Sequence, residues 1–551
     1  MASLVPRPPY SQEEIQRLYP KELELQLVQI LLRHGERSPV SARFQNAGLA
    51  PFWPYCNAAR RLTSVAMASR DGSTWDSLQW RRRLERFGDD DGPVMAAGPN
   101  GEVDGVCQFG ELTDKGRETT LALGQRLRHL YVDQLKYMPD LISSSDSIYL
   151  RSTPLPRALE SVQQTFWGMY PLTARTASFP PTTIVTRTPA DETLFPNDSN
   201  CRRFNQLSHA FAQRTAEKWN DSDDMKYLNK LISAWMPRSS PKVAVDSHPR
   251  LSGIMDTINA SLAHGPETRL PPEFYDPTAR SIIERVSVEE WFSGYNENQE
   301  YRALGIGGLV GDIVERMVAN VERSGLTTYE IGGDDGRLGQ ARGGEATIRF
   351  AMSGCHDTTI AGLLASLGAF GGEPWPPFTS SIAVELFKKK DQSQISGGIR
   401  PKSATEKQAV TEPARPGWLA SFLGLSSHKS PPLSPPPSEA SEGIGRRPIT
   451  ELSVSEKAKL DGYYVRIRYN DKVMTVPGCK KAGNHLEGDD SFCTMAAFKA
   501  IADDFTPRNW KRECDANMET ATIKPVGKEE WAGFSRAEPS GDASGSPGQT
   551  L

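Results

Sequence analysis

Two short stretches of the chain carry residue types that could transfer a phosphoryl group. Arg33, His34 and Arg37 lie within Arg-His-Gly-Glu-Arg-Ser-Pro, and His356 and Asp357 are adjacent further along the chain. Guanidinium groups suit a phosphate dianion, because each presents paired donors and keeps its charge at any working pH. A neutral imidazole can act as a nucleophile or move a proton, and a carboxylic acid can protonate a leaving oxygen. These residue types predict chemistry on a phosphate ester.

Each stretch follows a predicted strand. Residues 23–32 form an apolar, β-favouring run that ends at Arg33, and residues 346–353 alternate in hydrophobicity just before the His-Asp pair. A third short apolar run, residues 147–150, ends at Arg151 and is followed by a helical pattern. Ligands in α/β proteins bind at the carboxyl ends of strands. We therefore expect these three strand ends to form one site.

Taken singly, each feature has a structural explanation. A histidine next to an aspartate is usually a surface or capping feature, and an arginine after a strand usually forms a salt bridge. The combination is far more specific. The chain has Arg-His-Gly-x-Arg-x-Pro after one predicted strand, Arg-Ser-Thr after a second, and His-Asp between a third strand and a helix.

This combination resembles the histidine acid phosphatase branch of the histidine phosphatase superfamily, in the clade with a His-Asp motif. The likeness extends over most of residues 23–520, outside one low-complexity insertion. In local motifs at 110–113, 195–197, 375–378 and 476–479, the chain is most similar to the lysophosphatidic acid phosphatase members. The resemblance implies an α/β fold, phosphoglycerate mutase-like, with a mixed central sheet flanked by helices and an inserted helical cap domain.

The resemblance also implies a role for each motif residue. His34 would be the nucleophile that forms a phosphohistidine, and Asp357 would be the general acid that protonates the leaving oxygen. Four further side chains would bind the phosphate: Arg33, Arg37, Arg151 and His356. The motif departs from many relatives at Pro154, where they have an acidic residue. Arg157 is left open between support of the helix and contact with the substrate.

Composition changes along the chain suggest its organisation. Residues 391–455 are rich in Ser and Pro, cannot bury enough apolar surface to order themselves, and are a candidate contact for a protein partner. The predicted segments are a flexible arm (1–20), the α/β core in three parts (21–194, 336–390 and 456–531), a helical cap (195–335), a disordered insertion (391–455) and a disordered tail (532–551).

The overall composition argues for small partners and against nucleic acid. A net charge of −4 leaves no basic excess for nucleic-acid binding. There is no apolar run of roughly 18 residues for a transmembrane helix, and the first residues lack the apolar run of a secretory signal. We therefore expect an intracellular, cytoplasmic protein, with a mitochondrial location as the alternative.

The cysteines and histidines do not predict a metal or cofactor site. The histidines show no metal-ligand spacing, no C-x-x-C pair is present, and the arginines supply the charge that a metal ion would otherwise bring. The seven cysteines are an odd number in a thin scatter, so we expect reduced thiols.

The sequence thus predicts a metal-independent hydrolase of phosphate monoesters, with lysophosphatidic acid as one candidate substrate. We expect turnover to be best at acidic pH and to fall as Asp357 ionises in the complex. Two alternatives stay open. One is a phytase-like inositol phosphate phosphatase, which would normally need a broadly basic mouth where this chain offers only Arg81, Arg82 and Arg83. The other is a catalytically silent phosphate-binding scaffold.

Overall fold

The computed structural model describes residues 2–323, 347–390, 443–523 and 530–535. Most of the predicted disordered insertion, residues 391–442, lies outside the described residues. The predicted tail lies outside them from residue 536 onward.

A nine-stranded mixed sheet forms the centre of the molecule, in the order β12-β13-β10-β9-β1-β8-β6-β7, with β11 paired to β10. Two small hairpins, β2-β3 and β4-β5, lie outside it. The strands are β1 Leu23–Arg33, β2 Leu62–Met67, β3 Trp75–Trp80, β4 Glu85–Phe87, β5 Pro93–Met95, β6 Ile148–Ser152, β7 Ile184–Val185, β8 Phe350–Cys355, β9 Ser381–Lys389, β10 Tyr463–Tyr469, β11 Lys472–Met474, β12 His485–Leu486 and β13 Asp489–Thr494.

Helices cover both faces of this sheet, which confirms the predicted α/β class. There are also two π-helical segments. His129–Gln134 follows the helix that ends at Arg128, and Ala303–Gly307 joins the helices that end at Arg302 and begin at Gly308. The helices are α1 Gln12–Leu18, α2 Asp114–Arg128, α3 Pro156–Met169, α4 Arg202–Trp219, α5 Asp223–Ile232, α6 Leu251–Leu262, α7 Pro277–Glu297, α8 Gln299–Arg302, α9 Gly308–Glu322, α10 Asp357–Ser366, α11 Val454–Ala458, α12 Met495–Asp503 and α13 Trp510–Cys514.

Strand β1 lies between two hydrophobic cores because its side chains alternate between the faces of the sheet. Leu27 and Leu31 pack into the core shared with helices α4 to α10. Val28, Ile30 and Leu32 pack into the second core, which α2 and α3 cover. Because both faces of the strand are buried, its sequence is a nearly continuous run of apolar residues, as is typical of strands in parallel sheets.

Between β7 and β8 the regular elements that the structure describes are helical. Helices α4 to α9 fill this part of the chain. The division of the chain into a core and a cap domain stays a prediction. Among the described helices, none is long and apolar enough to cross a bilayer.

Two segments are more ordered than the sequence predicted. The N-terminal arm forms α1 and buries Tyr10 and Ile15 against the second core. Residues 443–455, the end of the predicted insertion, also pack onto the fold, with Ile444 buried and Arg446 ion-paired to Asp312. Apolar anchors and ion pairs, among them Arg446 with the buried carboxylate of Asp312, hold these segments on the fold.

The expectation of reduced thiols is wrong for six of the seven cysteines. Disulfides join Cys56 to Cys107, Cys201 to Cys514, and Cys479 to Cys493, whereas Cys355 is a buried free thiol. The partners of the first two pairs are 51 and 313 residues apart, so no sequence spacing reveals them. Disulfides of this kind are typical of proteins from oxidising compartments.

Candidate active site

The register of two parallel strands brings the two motifs together. Strands β1 and β8 are direct neighbours, and Arg33 pairs with Cys355 at their carboxyl ends. The next residue on each strand is therefore a histidine at the same edge of the sheet. The His34 amide donates a hydrogen bond to the Cys355 carbonyl (3.1 Å), and the centroids of the His34 and His356 rings are 5.5 Å apart.

A close backbone contact fixes the loop after β1. A Cβ atom on Gly35 would lie 2.3 Å from the carbonyl oxygen of Gly116 in α2, so only glycine fits there. The Gly35 amide donates a hydrogen bond to the Ser161 hydroxyl in α3 (3.1 Å). Two helices therefore hold the loop that carries His34.

His34 is buried and oriented through its Nδ1 atom. Nδ1 lies 2.9 Å from the Gly35 carbonyl oxygen, which can only accept, so Nδ1 carries the proton. This leaves the Nε2 lone pair free to react. Burial, followed by the positive charge of Arg157, holds the pKa of His34 well below its usual value. Burial and the neighbouring arginines therefore favour the neutral imidazole.

Asp357 is the first residue of α10 and forms an ion pair with Arg33. Its Oδ2 atom lies 2.7 Å from Nη2 of Arg33 and accepts a hydrogen bond from the Trp375 indole (3.1 Å). Burial acts to raise the pKa of Asp357, but the arginines and the indole outweigh it and hold this pKa below its usual value. In the free protein Asp357 is therefore ionised.

Three contacts from other parts of the chain position Arg33 and Arg37. The Arg33 guanidinium donates to the Pro376 carbonyl oxygen and lies 4.2 Å from the centroid of the Phe378 ring. Arg37 forms an ion pair with Asp256 of α6, at 2.7 Å. Asp256 therefore places a carboxylate from the helical segment against one of the predicted phosphate-binding arginines.

Arg157, in the first turn of α3, belongs to the same cluster. Within the described part of the chain its guanidinium makes no hydrogen bond or ion pair, and its Nε atom is buried without a partner. Burial, followed by the charge of Arg37, lowers its pKa to about 10. A buried cation beside other cations is costly unless an anion joins them. This unpaired guanidinium, whose charge acts on His34, is therefore suited to bind an anion.

Arg151 does not join the cluster. Its guanidinium forms buried ion pairs with Glu192 (2.7 Å) and Asp312 (3.0 Å) and a hydrogen bond to Thr193. Two carboxylates therefore occupy the donors that the sequence assigned to phosphate. The structure places Arg157 among the site arginines and Arg151 in a structural network.

His356 lies at the N-terminus of α10, and its ring contacts the end of β6. Its Nε2 atom is 3.1 Å from the Thr153 hydroxyl, so the Arg-Ser-Thr motif reaches the site through threonine. Burial, followed by the charge of Arg157, holds the pKa of His356 below its usual value. A neutral His356 has one N–H, and an anion in the site can accept it only where the Thr153 hydroxyl donates to Nε2.

The structure thus brings together five of the six residues predicted from the sequence and adds Arg157, Asp256 and Trp375. One sequence signal pointed to Arg157, because a cation in the first turn of a helix opposes the helix dipole and needs another reason to be there. The arrangement offers a neutral nucleophile, several cationic donors and a carboxyl group. Among the described residues, no group of three or more His, Cys, Asp or Glu is placed to hold a metal ion.

Comparisons with known proteins agree with this chemistry. The chain is 35% identical over 500 residues to a probable acid phosphatase of Schizosaccharomyces pombe, covering 90% of this chain and 95% of that protein. It is 23% identical over 381 residues to the human lysophosphatidic acid phosphatase type 6, covering 68% of this chain and 76% of that one.

A solved phytase of Hafnia alvei, in complex with tartrate, matches 90% of this chain and 99% of its own with 11% identity and a TM-score of 0.49. The model of the histidine phosphatase superfamily (branch 2) matches residues 24–400, more than half of the chain. The protein therefore belongs to the histidine phosphatase superfamily, branch 2.

Proposed function

We propose that this protein is an acid phosphatase that hydrolyses phosphate monoesters through a phosphohistidine at His34. The observation that carries the proposal is the unpaired Arg157 guanidinium beside a buried, neutral His34. Arg33, Arg37 and Arg157 would bind the non-bridging phosphate oxygens, and His356 would donate a further hydrogen bond. The family membership and the acid phosphatase relative support the same chemistry.

In the first step, Nε2 of His34 attacks phosphorus while the bond to the leaving oxygen breaks. The electron pair of that bond goes to the leaving oxygen, which takes a proton from Asp357. The hydrogen bond from Nδ1 to the Gly35 carbonyl oxygen favours the positive charge that develops on the ring. The alcohol then departs and leaves the phosphoryl group on His34.

In the second step, water attacks phosphorus and releases inorganic phosphate. Asp357, now a carboxylate, accepts a proton from that water as the bond between Nε2 and phosphorus breaks. His34 returns to its neutral form.

The protonation of Asp357 depends on the substrate. In the free protein the arginines keep Asp357 ionised. A bound phosphate dianion would take up much of their positive field and add negative charge nearby, so the pKa of Asp357 would rise in the complex. Acidic pH then supplies the proton, which is the basis for an acid optimum.

Lysophosphatidic acid is the first substrate to test, because a relative is named for its hydrolysis. Two carboxylates offset most of the charge of the basic cluster at residues 81–83, which a polyanion site would need free. Arg81 and Arg83 pair with Asp104, and Arg82 pairs with Glu111. This pairing disfavours phytate and favours a substrate with a single phosphate group.

Rapid-quench trapping of the phosphoenzyme tests the proposal. With a monoester labelled on phosphorus, we expect an acid-labile phosphoprotein in the wild type and none in His34→Ala. His129→Ala is the matched control, because this exposed histidine contacts Asp133 and lies outside the site. A wild-type protein that binds phosphate but gives neither phosphoprotein nor product across a panel of monoesters from pH 4 to 8 would be the silent scaffold.

A further inference from the structure

A second cavity lies on the α2 side of the sheet, apart from the catalytic cluster. It has a volume of about 300 Å³ and is bounded by the N-terminal segment, by α2 and by the ends of β9 and β10. None of the residues assigned above to phosphate binding or catalysis lines it. We call it the α2 cavity.

The walls of the α2 cavity are mainly apolar. Leu4 comes from the N-terminal segment, Leu123, Leu127 and Leu130 from α2 and its π-helical end, and Ala383 from β9. The N-terminal wall is fixed in place, because the Leu4 amide donates to the Phe378 carbonyl oxygen (3.0 Å). Concave sites of roughly 300 Å³ or more, lined by apolar side chains with a few polar groups, are typical small-molecule sites.

The polar groups of the cavity carry an excess of positive charge. They include three arginines, Arg7, Arg126 and Arg468, against the single carboxylate of Asp471. Arg7 pairs with Glu14 outside the cavity (2.6 Å). Arg468 is bound by Glu385 and Asp471.

Arg126 differs from the other two arginines. Among the residues that the structure describes, its guanidinium has no hydrogen bond and no ion pair within 4.0 Å, and Asp471 acts on it only at longer range. Burial lowers the pKa of Arg126, so the environment disfavours an unpaired charge there. A half-buried, unpaired cation in the lining of an apolar cavity suits a ligand with one anionic end and one apolar end.

We propose that the α2 cavity binds a small amphipathic carboxylate, with its head group on Arg126 and its apolar tail between α2 and the N-terminal segment. A planar carboxylate matches the guanidinium fork with two parallel hydrogen bonds. The tail replaces water along the leucine wall and gains the free energy of apolar burial. The proposal does not depend on the phosphatase chemistry, since the two sites share no residue.

Calorimetric titration of the full chain with octanoate tests the proposal. The titration is run without and with inorganic phosphate, so that octanoate bound at the catalytic arginines is recognised by its displacement. We expect one octanoate to bind per chain. Arg126→Met should weaken binding at least about tenfold, as expected for loss of a charged hydrogen-bonded pair. Ala122→Phe, which fills the cavity from α2, should abolish it.

Arg17→Met is the matched control, because it removes an exposed arginine from α1 that does not line the cavity. It should leave octanoate binding unchanged. If Ala122→Phe does not fold, the comparison of Arg126→Met with Arg17→Met decides alone. Absence of binding, or binding that is equal in Arg126→Met and in the control, would overturn the proposal. Loss of the phosphoenzyme in separate assays would overturn the catalytic proposal and leave this one standing.

Discussion

The carboxylate of Asp357 lies 2.7 Å from the guanidinium of Arg33, so in the free protein the proposed acid and one proposed phosphate ligand neutralise each other. The substrate phosphate must therefore displace Asp357 from the guanidinium of Arg33. The exchange leaves a carboxyl group close to a phosphate dianion, where its protonated form is favoured. The ion pair therefore keeps Asp357 ionised until a phosphate ester takes its place on Arg33.

Asp357→Asn should separate leaving-group protonation from nucleophilic attack. The amide cannot donate a proton to an alkoxide, so we expect kcat for an alkyl phosphate to fall by roughly 100- to 10,000-fold. With p-nitrophenyl phosphate, whose leaving group needs little protonation, the loss in the first step should be much smaller. Burst kinetics would then show the phosphoenzyme accumulating, because water attack also needs Asp357. Equal losses in phosphoenzyme formation for both substrates would contradict the assignment of Asp357 as the acid.

Trp375→Phe should move the pH profile in a defined direction. The indole N–H donates to Oδ2 of Asp357 and stabilises its ionised form. Its removal raises the pKa of Asp357, so the acid form persists to higher pH. The falling limb of kcat against pH, measured with an alkyl phosphate, should therefore shift upward by about 0.5–1 unit.

Trp291→Phe is the control for this shift. Trp291 packs against Trp375 with ring centroids 6.1 Å apart, but its side chain makes no hydrogen bond to Asp357. Its pH profile should match that of the wild type. A downward shift in Trp375→Phe would mean that the indole does not favour the carboxylate.

The convergence of the two main motifs was predictable, because two predicted strands ended in reactive residues and parallel neighbours end at one edge of a sheet. The partner of Arg151 was not predictable. Asp312 lies 161 residues away on α9, and only the folded helix brings it to β6. The sequence shows Arg157 as a cation at a helix N-terminus. Its place near His34, however, depends on how α3 packs against β1, which the sequence does not give. Disulfides between distant cysteines were likewise hidden, because the fold alone makes the pairs.

Arg157→Met should weaken phosphate binding, whereas Arg151→Met should lower the stability of the protein. Loss of Arg157 removes a phosphate ligand, so the inhibition constant of inorganic phosphate should rise roughly 10- to 100-fold. Stability should be unchanged or higher, because like charges are removed from a buried site. Loss of Arg151 leaves Glu192 and Asp312 with fewer partners and should lower the free energy of unfolding by about 3 kcal/mol.

Each of these two variants controls for the other. Phosphate inhibition at a temperature where both are folded, together with urea denaturation, gives the two measurements. If Arg151→Met loses phosphate affinity while Arg157→Met keeps it, the sequence-based assignment of Arg151 to the phosphate would be right after all.

The pairing of the cysteines can be tested by counting alkylated cysteines in a mass spectrum. Three disulfides and one buried thiol mean that alkylation of the denatured protein without reductant should modify one cysteine, Cys355, and with reductant all seven. The link from Cys201 to Cys514 closes the longest loop of the three, 313 residues, and ties α4 to α13. The double variant Cys201→Ser, Cys514→Ser should therefore lower the free energy of unfolding by about 2–5 kcal/mol. Seven modified cysteines before reduction, in protein prepared from an oxidising compartment, would instead support the reduced thiols that the sequence alone predicts.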